Sequence, residues 1–335
     1  MISSASPWDR LVGLAAQRRI WLAMRASGQL PHALLLTGAP GIGKRTWALA
    51  AAQDLLCHAP GVAGPCGRCP SCRALAQGTH PDLLEAAPER GHRELRVEDA
   101  ARILDWLALT PALGERKALV LDQADAASRN AAPSLLKTLE EPPAGTHLFL
   151  VTARPQAMVS TLVSRCRRLF FSPLDREGFR KVLRAQRADS TLEETLYRLS
   201  RGSPGESLDL LERGVLDLRG ALGGLAGAPR AKALALAAEV LVPAKPTSRQ
   251  AAAQEATPLE LRRQEALARL QILASLLRDR LPGLPAEARL NPDLPPSSPG
   301  DVARGARALR ETVDAIQGNA DLTLALECCA ISLAG

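Results

Sequence analysis

Apolar positions along the chain fall into two regimes. Up to about residue 170, short unbroken apolar runs alternate with helical periodicity. The runs "HALLLTG" (32–38), "KALVLDQAD" (117–125) and "HLFLVTA" (147–153) read as buried strands, because continuous Leu and Val without polar alternation suits a parallel strand covered on both faces. An amphipathic helix is predicted over roughly Asp9 to Ser27, a second in "GKRTWALAAAQDLLC", and a third in "APSLLKTLEE" between the last two runs. Such alternation predicts a parallel sheet layered with helices. After "SRCRRLFF" the pattern turns helical, with a small group over about Asp175 to Leu211 and long Ala- and Leu-rich helices from Pro229 onward. "VPAKPTSRQAAAQEATP" and "LPGLPAEARLNPDLPPSSPG" interrupt the latter and read as loops.

Composition narrows this picture only a little. A chain of 335 residues is long for one ordinary domain and suits two or three. With 46% hydrophobic but 3% aromatic residues, aliphatic helix packing is favoured over an all-β barrel. A net charge of +7 fits contact with polyanions and equally fits an arginine-rich solvated surface. The amino end lacks a secretory pattern, and no run approaches the roughly 18 apolar residues of a membrane span, so a cytoplasmic protein is expected.

The stretch "GAPGIGKRT" follows the first strand and opens a helix, the context of a phosphate-binding loop. Gly38, Gly41 and Gly43 let the backbone curl so that N–H groups face an anion, and Lys44 would reach the outer phosphates. The motif G-x-x-x-x-G-K-[ST] fails only at its last place, where Arg45 stands. Guanidinium has no lone pair for magnesium and repels a cation. Thr46 is no replacement, since one step along a helix turns the side chain by about 100°. In "LVLDQAD", Asp122 stands where such folds place a magnesium-binding carboxylate, and Gln123 stands where an acid would activate water. The two changes strike metal binding and water activation separately, which argues against an independent ATPase.

Cys57, Cys66, Cys69 and Cys72, in "CHAPGVAGPCGRCPSC", form C-x8-C-x2-C-x2-C. Two-residue spacings let thiolates fold around one tetrahedral ion, so a structural Zn2+ site is expected; an iron–sulfur cluster would use similar ligands. His58 and His80 are spare donors nearby. Cys166, Cys328 and Cys329 read as small buried residues.

Together, "GAPGIGK", the four-cysteine insertion, "LVLDQAD", "LLKTLEEPP" and "SRC" resemble the AAA+ clamp-loader subunits of bacterial DNA polymerase III, with the motifs spread over Leu34 to Cys166. The resemblance implies a RecA-like α/β AAA+ domain with a zinc module over residues 1–170, a small helical lid over 171–222 and an all-α collar for oligomerisation over 223–335. It also implies partners: delta and gamma or tau subunits in a ring, the sliding clamp, and primed DNA. Motor subunits of this family carry a hydroxyl after the loop lysine, a glutamate beside the strand aspartate and a sensing arginine in the lid. Arg45, Gln123 and Gly205 replace them here, the pattern of the delta-prime branch.

By the same resemblance, Arg165 of "SRC" is an arginine finger presented to a neighbour's ATP, and Thr152 lies near the first sensor. Lys137, Glu140 and Glu141 of "LLKTLEEPP" fall near subunit contacts. For the chain's own loop, with Gly38, Gly41, Gly43, Lys44 and Asp122, weak retention of ATP or ADP and no retention both stay open. Two rival readings are a gamma-like ATPase in which Arg45 turns aside while water or Thr46 completes the metal shell, and a zinc-bearing DNA-binding module outside any loader.

Overall fold

The computed structural model describes residues 6–88, 95, 97–126, 132–186, 192–213, 241–243, 258–285, 289 and 296–333. The chain forms two compact units, one of Met1–Ser190 with Gly202–Glu206 and one of Thr191–Arg201 with Ser207–Gly335.

The first unit is built on five parallel strands: β1 (Ala33–Gly38), β2 (Leu83–Ala86), β3 (Lys117–Leu121), β4 (Thr146–Thr152) and β5 (Arg167–Phe171). Their order is β2-β3-β4-β1-β5, with every neighbouring pair parallel. Each step therefore crosses over through a helix, which is why the central strands β1 and β3 read as unbroken apolar runs. The three apolar runs form the centre of the sheet, as their patterning predicts. Strands β2 and β5 escape the hydrophobic pattern: β2 is four residues long, and β5 spells "RRLFF" with Arg167, Arg168 and Phe170 exposed. Both are edge strands, half relieved of the demand for apolar side chains.

The helices of this unit are α1 (Ala15–Ala26), α2 (Lys44–Leu56), α3 (Pro70–Gln77), α4 (Val97–Ala108), α5 (Ala132–Glu140), α6 (Ser160–Ser164) and α7 (Arg176–Ala185). The single amphipathic helix expected over Asp9 to Ser27 is two elements, a 3-10 turn at Pro7–Arg10 and α1. Gly13 breaks it: its φ is +75°, and a Cβ there would lie 2.3 Å from Leu174 Cδ2. One face of the sheet buries Trp8, Trp21, Trp47, Phe149 and Phe171 in an edge-on aromatic chain with centroids 5.5 to 6.1 Å apart. So five of the chain's nine aromatics gather at one place, fixing α1 and α2 to the sheet. The other face packs Leu95, Ile103 and Leu107 near α4 with Leu135 and Leu139 of α5.

The second unit is helical: α8 (Glu193–Leu199), most of α9 (Pro204–Glu212), α10 (Pro258–Asp279), α11 (Pro299–Gln317) and α12 (Leu322–Leu333). Its core is aliphatic, with Leu270, Ile272, Leu273 and Leu276 of α10 packed among Leu309, Ile316 and Leu326. The predicted loop at 242–258 lies mostly outside the described residues, as does much of the stretch 281–300. Among the described residues, no helix is long and apolar enough to cross a membrane.

Candidate functional site

The phosphate loop takes the course its glycines predict. β1 ends at Gly38, Gly41 has φ +69°, and Gly43 caps α2 with φ +92°. The Lys44 ammonium and the loop carbonyls, however, are engaged by their own unit. Lys44, only 5% exposed, donates from Nζ to the carbonyls of Gly38 (2.9 Å) and Ala39 (2.6 Å). Burial pushes its ammonium below the ordinary lysine value, against the pull of Asp122, Asp125 and Glu206.

The segment Gly202–Glu206 then packs onto the loop. Ser203 Oγ donates to Pro40 O at 2.7 Å, and Gly205 N–H donates to Gly41 O at 2.9 Å. A Cβ on Gly205 would fall 2.8 Å from the Gly41 backbone, and one on Gly41 would fall 2.6 Å from Ser203 Oγ and Glu206 N. Glycine at 205 is therefore required by a backbone approach, beyond the loss of a sensing arginine. "SPGE" carries the S-x-x-E signature of a helix start. That signature predicts α9, but not its landing on a loop 163 residues earlier.

Arg45 pairs with Glu85 of β2 at 2.5 Å, with both side chains substantially exposed. At the end of β3, Asp122 accepts the N–H of Gln123, whose φ is +51° and whose side chain is exposed. Nothing in the pattern of "LVLDQAD" signals the role of Asp125. Its carboxylate takes Thr152 Oγ1 at 2.6 Å and Arg154 Nε at 2.9 Å, tying the ends of β3 and β4 together. Thr152 is thereby committed to a carboxylate within its own unit.

Arg165 lies just after α6, away from the loop residues in the chain. Its Nη1 donates to Thr161 O at 3.1 Å and its Nη2 pairs with Glu140 Oε1 at 2.5 Å.

The four cysteines are brought together. Cys57 caps α2, Cys69 caps α3, and the ligand atoms of Cys57, Cys66, Cys69 and Cys72 all lie within 4.8 Å of one another, so the cluster could hold a metal ion. Backbone N–H groups of Cys66, Cys69 and Cys72 point at the sulfurs of Cys57, Cys66 and Cys69, at 3.2 to 3.4 Å. A hydrogen bond from the Arg68 backbone draws the Cys66 thiol down to about 6, while burial pushes Cys57 and Cys72 up. Arginines of α1 dock the intervening loop: Arg18 donates to Ala63 O, and Arg25 to Gly61 O while pairing with buried Asp54.

His80 is not a spare donor. It shares a hydrogen bond of 2.8 Å with Ser71 Oγ, and its Nδ1 accepts the N–H of Asp82. Of the remaining cysteines, Cys329 is buried and Cys166 half-buried, but Cys328 is exposed, because its neighbour on α12 takes the inward face.

Residues 15–175 match the family described as DNA polymerase III, delta subunit. DNA polymerase III subunit delta' of Pseudomonas aeruginosa is 38% identical over 207 residues, covering 61% of this chain and 62% of the relative. Subunit delta' of Escherichia coli is 37% identical over 57% of this chain and 58% of its own length, and subunit tau of the same organism 34% over 56% and 30%. The chain thus spans less than two thirds of the curated relatives it matches. Among solved structures, a DNA polymerase III gamma subunit-related protein of Thermotoga maritima aligns over 96% of this chain and 98% of its own, with TM-score 0.47 and 18% identity. Residues 15–175, just under half of the chain, are thus similar to the DNA polymerase III delta subunit family, with delta' subunits among the relatives.

Proposed function

We propose that the protein is a delta'-type subunit of a DNA polymerase III clamp loader, one that does not hydrolyse ATP itself. It would assemble with delta and gamma or tau subunits into a ring that places the sliding clamp on primed DNA in the cytoplasm. On this reading residues 1–170 are the AAA+ domain with its metal module, 171–222 the lid and 223–335 the collar through which the ring assembles. Cys57, Cys66, Cys69 and Cys72 hold Zn2+ as a purely structural ion, because four protein sulfurs leave it no open position. Arg165 is offered to ATP bound by a neighbouring subunit, where a guanidinium stabilises the charge spread over the transferring phosphoryl group.

The observation that carries the non-hydrolysing reading is the engagement of the loop by its own chain. Lys44 is bonded to loop carbonyls, Gly205 and Ser203 are bonded to Gly41 and Pro40, and Arg45 is spent on Glu85. Lys44 would have to leave the Gly38 and Ala39 carbonyls to reach a phosphate, and the nucleotide would then find neither a hydroxyl for magnesium at position 45 nor an acid at position 123. The rival gamma-like reading agrees that Arg45 turns aside, but it still needs Lys44 released and a carboxylate where Gln123 stands.

Titration of ATP and magnesium into the pure chain tests the reading. The expected result is a dissociation constant weaker than about 1 mM and no turnover. Substantial turnover that Lys44→Ala abolishes would establish a motor subunit instead.

A further inference from the structure

The partner of Arg165 has a placement that calls for a reason. Glu140 is the last residue of α5, ahead of Pro142 and Pro143, so its carboxylate sits at the end of a helix whose carbonyls repel negative charge. The Arg165 guanidinium offsets that repulsion, with Nη2 on Glu140 Oε1 at 2.5 Å and Nη1 tied to Thr161 O at 3.1 Å. The pair stays open to solvent, with side-chain exposures of 38% for Arg165 and 50% for Glu140. A guanidinium reads carboxylate and phosphoryl oxygens with the same in-plane N–H groups. The N–H that faces Glu140 therefore cannot face a phosphoryl oxygen at the same time.

We infer that Glu140 is a positioning residue: it holds Arg165 against the body of the unit in a pre-paired state, and the triphosphate of a neighbouring subunit takes its place. The inference rests on the exported-arginine reading above. Two effects of Glu140 then have the same sign. Its bond to Arg165 must be given up when the arginine turns to phosphate, and its negative charge beside the contact repels the same phosphate. Both weaken nucleotide capture in the neighbour, and both fade as salt screens exposed charges.

The test uses the reconstituted loader with clamp and primed DNA, comparing wild type, Glu140→Gln, Arg165→Ala and the double variant by steady-state ATPase. Exposed ion pairs of this kind are worth a few-fold in an equilibrium, so Glu140→Gln should lower KM for ATP about two- to five-fold while kcat changes by less than about twofold. The KM gap should narrow as salt is raised, and it should vanish in the Arg165→Ala background. Arg165→Ala alone should cut turnover by about tenfold or more. If Arg165→Ala cuts turnover but Glu140→Gln leaves KM unchanged or raises it, the placeholder role is overturned and the exported arginine stands. If Arg165→Ala has no effect, the exported-arginine reading fails, and the inference with it. Glu140→Ala must give the same KM shift; a shift with one substitution only would also overturn the role, since either removes the carboxylate.

Discussion

The helix α2 carries one candidate site at each end, and the two ends differ in what their polar atoms still need. At the amino end, the carbonyls of Gly38, Ala39, Pro40 and Gly41 all receive hydrogen bonds from Lys44, Ser203 or Gly205. At the carboxyl end, four sulfurs gather, touching one another and three backbone N–H groups, and burial opposes ionisation of Cys57 and Cys72. The carbonyl side of the loop is satisfied by its own chain, whereas the four sulfurs gather where they could hold a metal ion. As sequence motifs the two look about equally complete. Completeness of a motif therefore reports which backbone the chain builds, while the remaining demand of its polar atoms reports whether a ligand belongs there.

The largest expected effect tests the cluster end. Removing the ion, or replacing 1%-exposed Cys72 by serine, takes away a binding energy that in small metal modules reaches about 10 kcal/mol. Cys72→Ser should lower Tm by more than about 10 °C and abolish a bound zinc content of one per chain, measured by elemental analysis. Arg18 and Arg25 tie the module to α1, so the loss should spread to the Trp8–Trp21–Trp47 cluster and appear in tryptophan fluorescence. A metal-free protein with unchanged melting would erase the contrast between the two ends.

A smaller effect tests the loop end. Gly205→Ala puts a methyl group 2.8 Å from the Gly41 backbone, which neither side can yield cheaply. Overpacking of this kind costs about 1 to 3 kcal/mol, readable as a fall in the urea midpoint with unchanged m-value. Because the strain falls on the contact between 203–206 and the loop, zinc content should stay at the wild-type level while nucleotide affinity rises. If Gly205→Ala weakens nucleotide binding, the segment supports a nucleotide site instead of filling it.

These two ends also mark what could be read in the sequence. The strands at the centre of the sheet, the loop and the cysteine cluster were legible because each is local: an apolar run, a glycine spacing, a thiol spacing. Strand β2 was not, since at an edge four residues of "LLEA" need no distinctive pattern. Nor was the landing of Ser203 on Pro40, the pairing of Arg45 with Glu85, or the clasp of Asp125 by Thr152 and Arg154. Each joins residues far apart in the chain, and short polar side chains carry no periodicity that names a distant partner. By resemblance Gly205 reads as an absent arginine, whereas its positive reason, a backbone approach to Gly41, exists only in three dimensions.

The smallest predicted effect separates the two ends by pH. His80 anchors α3, and with it Cys69 and Cys72, to the chain before β2. Its Nδ1 accepts the Asp82 N–H, so Nε2 carries the proton toward Ser71 Oγ, whose hydroxyl in turn donates to Leu56 O. A second proton would set an N–H against the Asp82 N–H. Burial holds this imidazole below the ordinary histidine value, with His58 adding to the shift and Asp82 opposing it. The unfolded chain therefore binds this proton first as pH falls. The neutral ring's stabilisation is complete above about pH 6.5 and is lost progressively below it, at no more than about 1.4 kcal/mol per pH unit, until the folded-state value is reached. In saturating zinc, His80→Gln should be less stable than wild type at pH 7 yet lose less stability between pH 7 and 5.5. The cysteines titrate in both proteins and cancel in the difference. Equal slopes would remove His80 from the account of acid sensitivity.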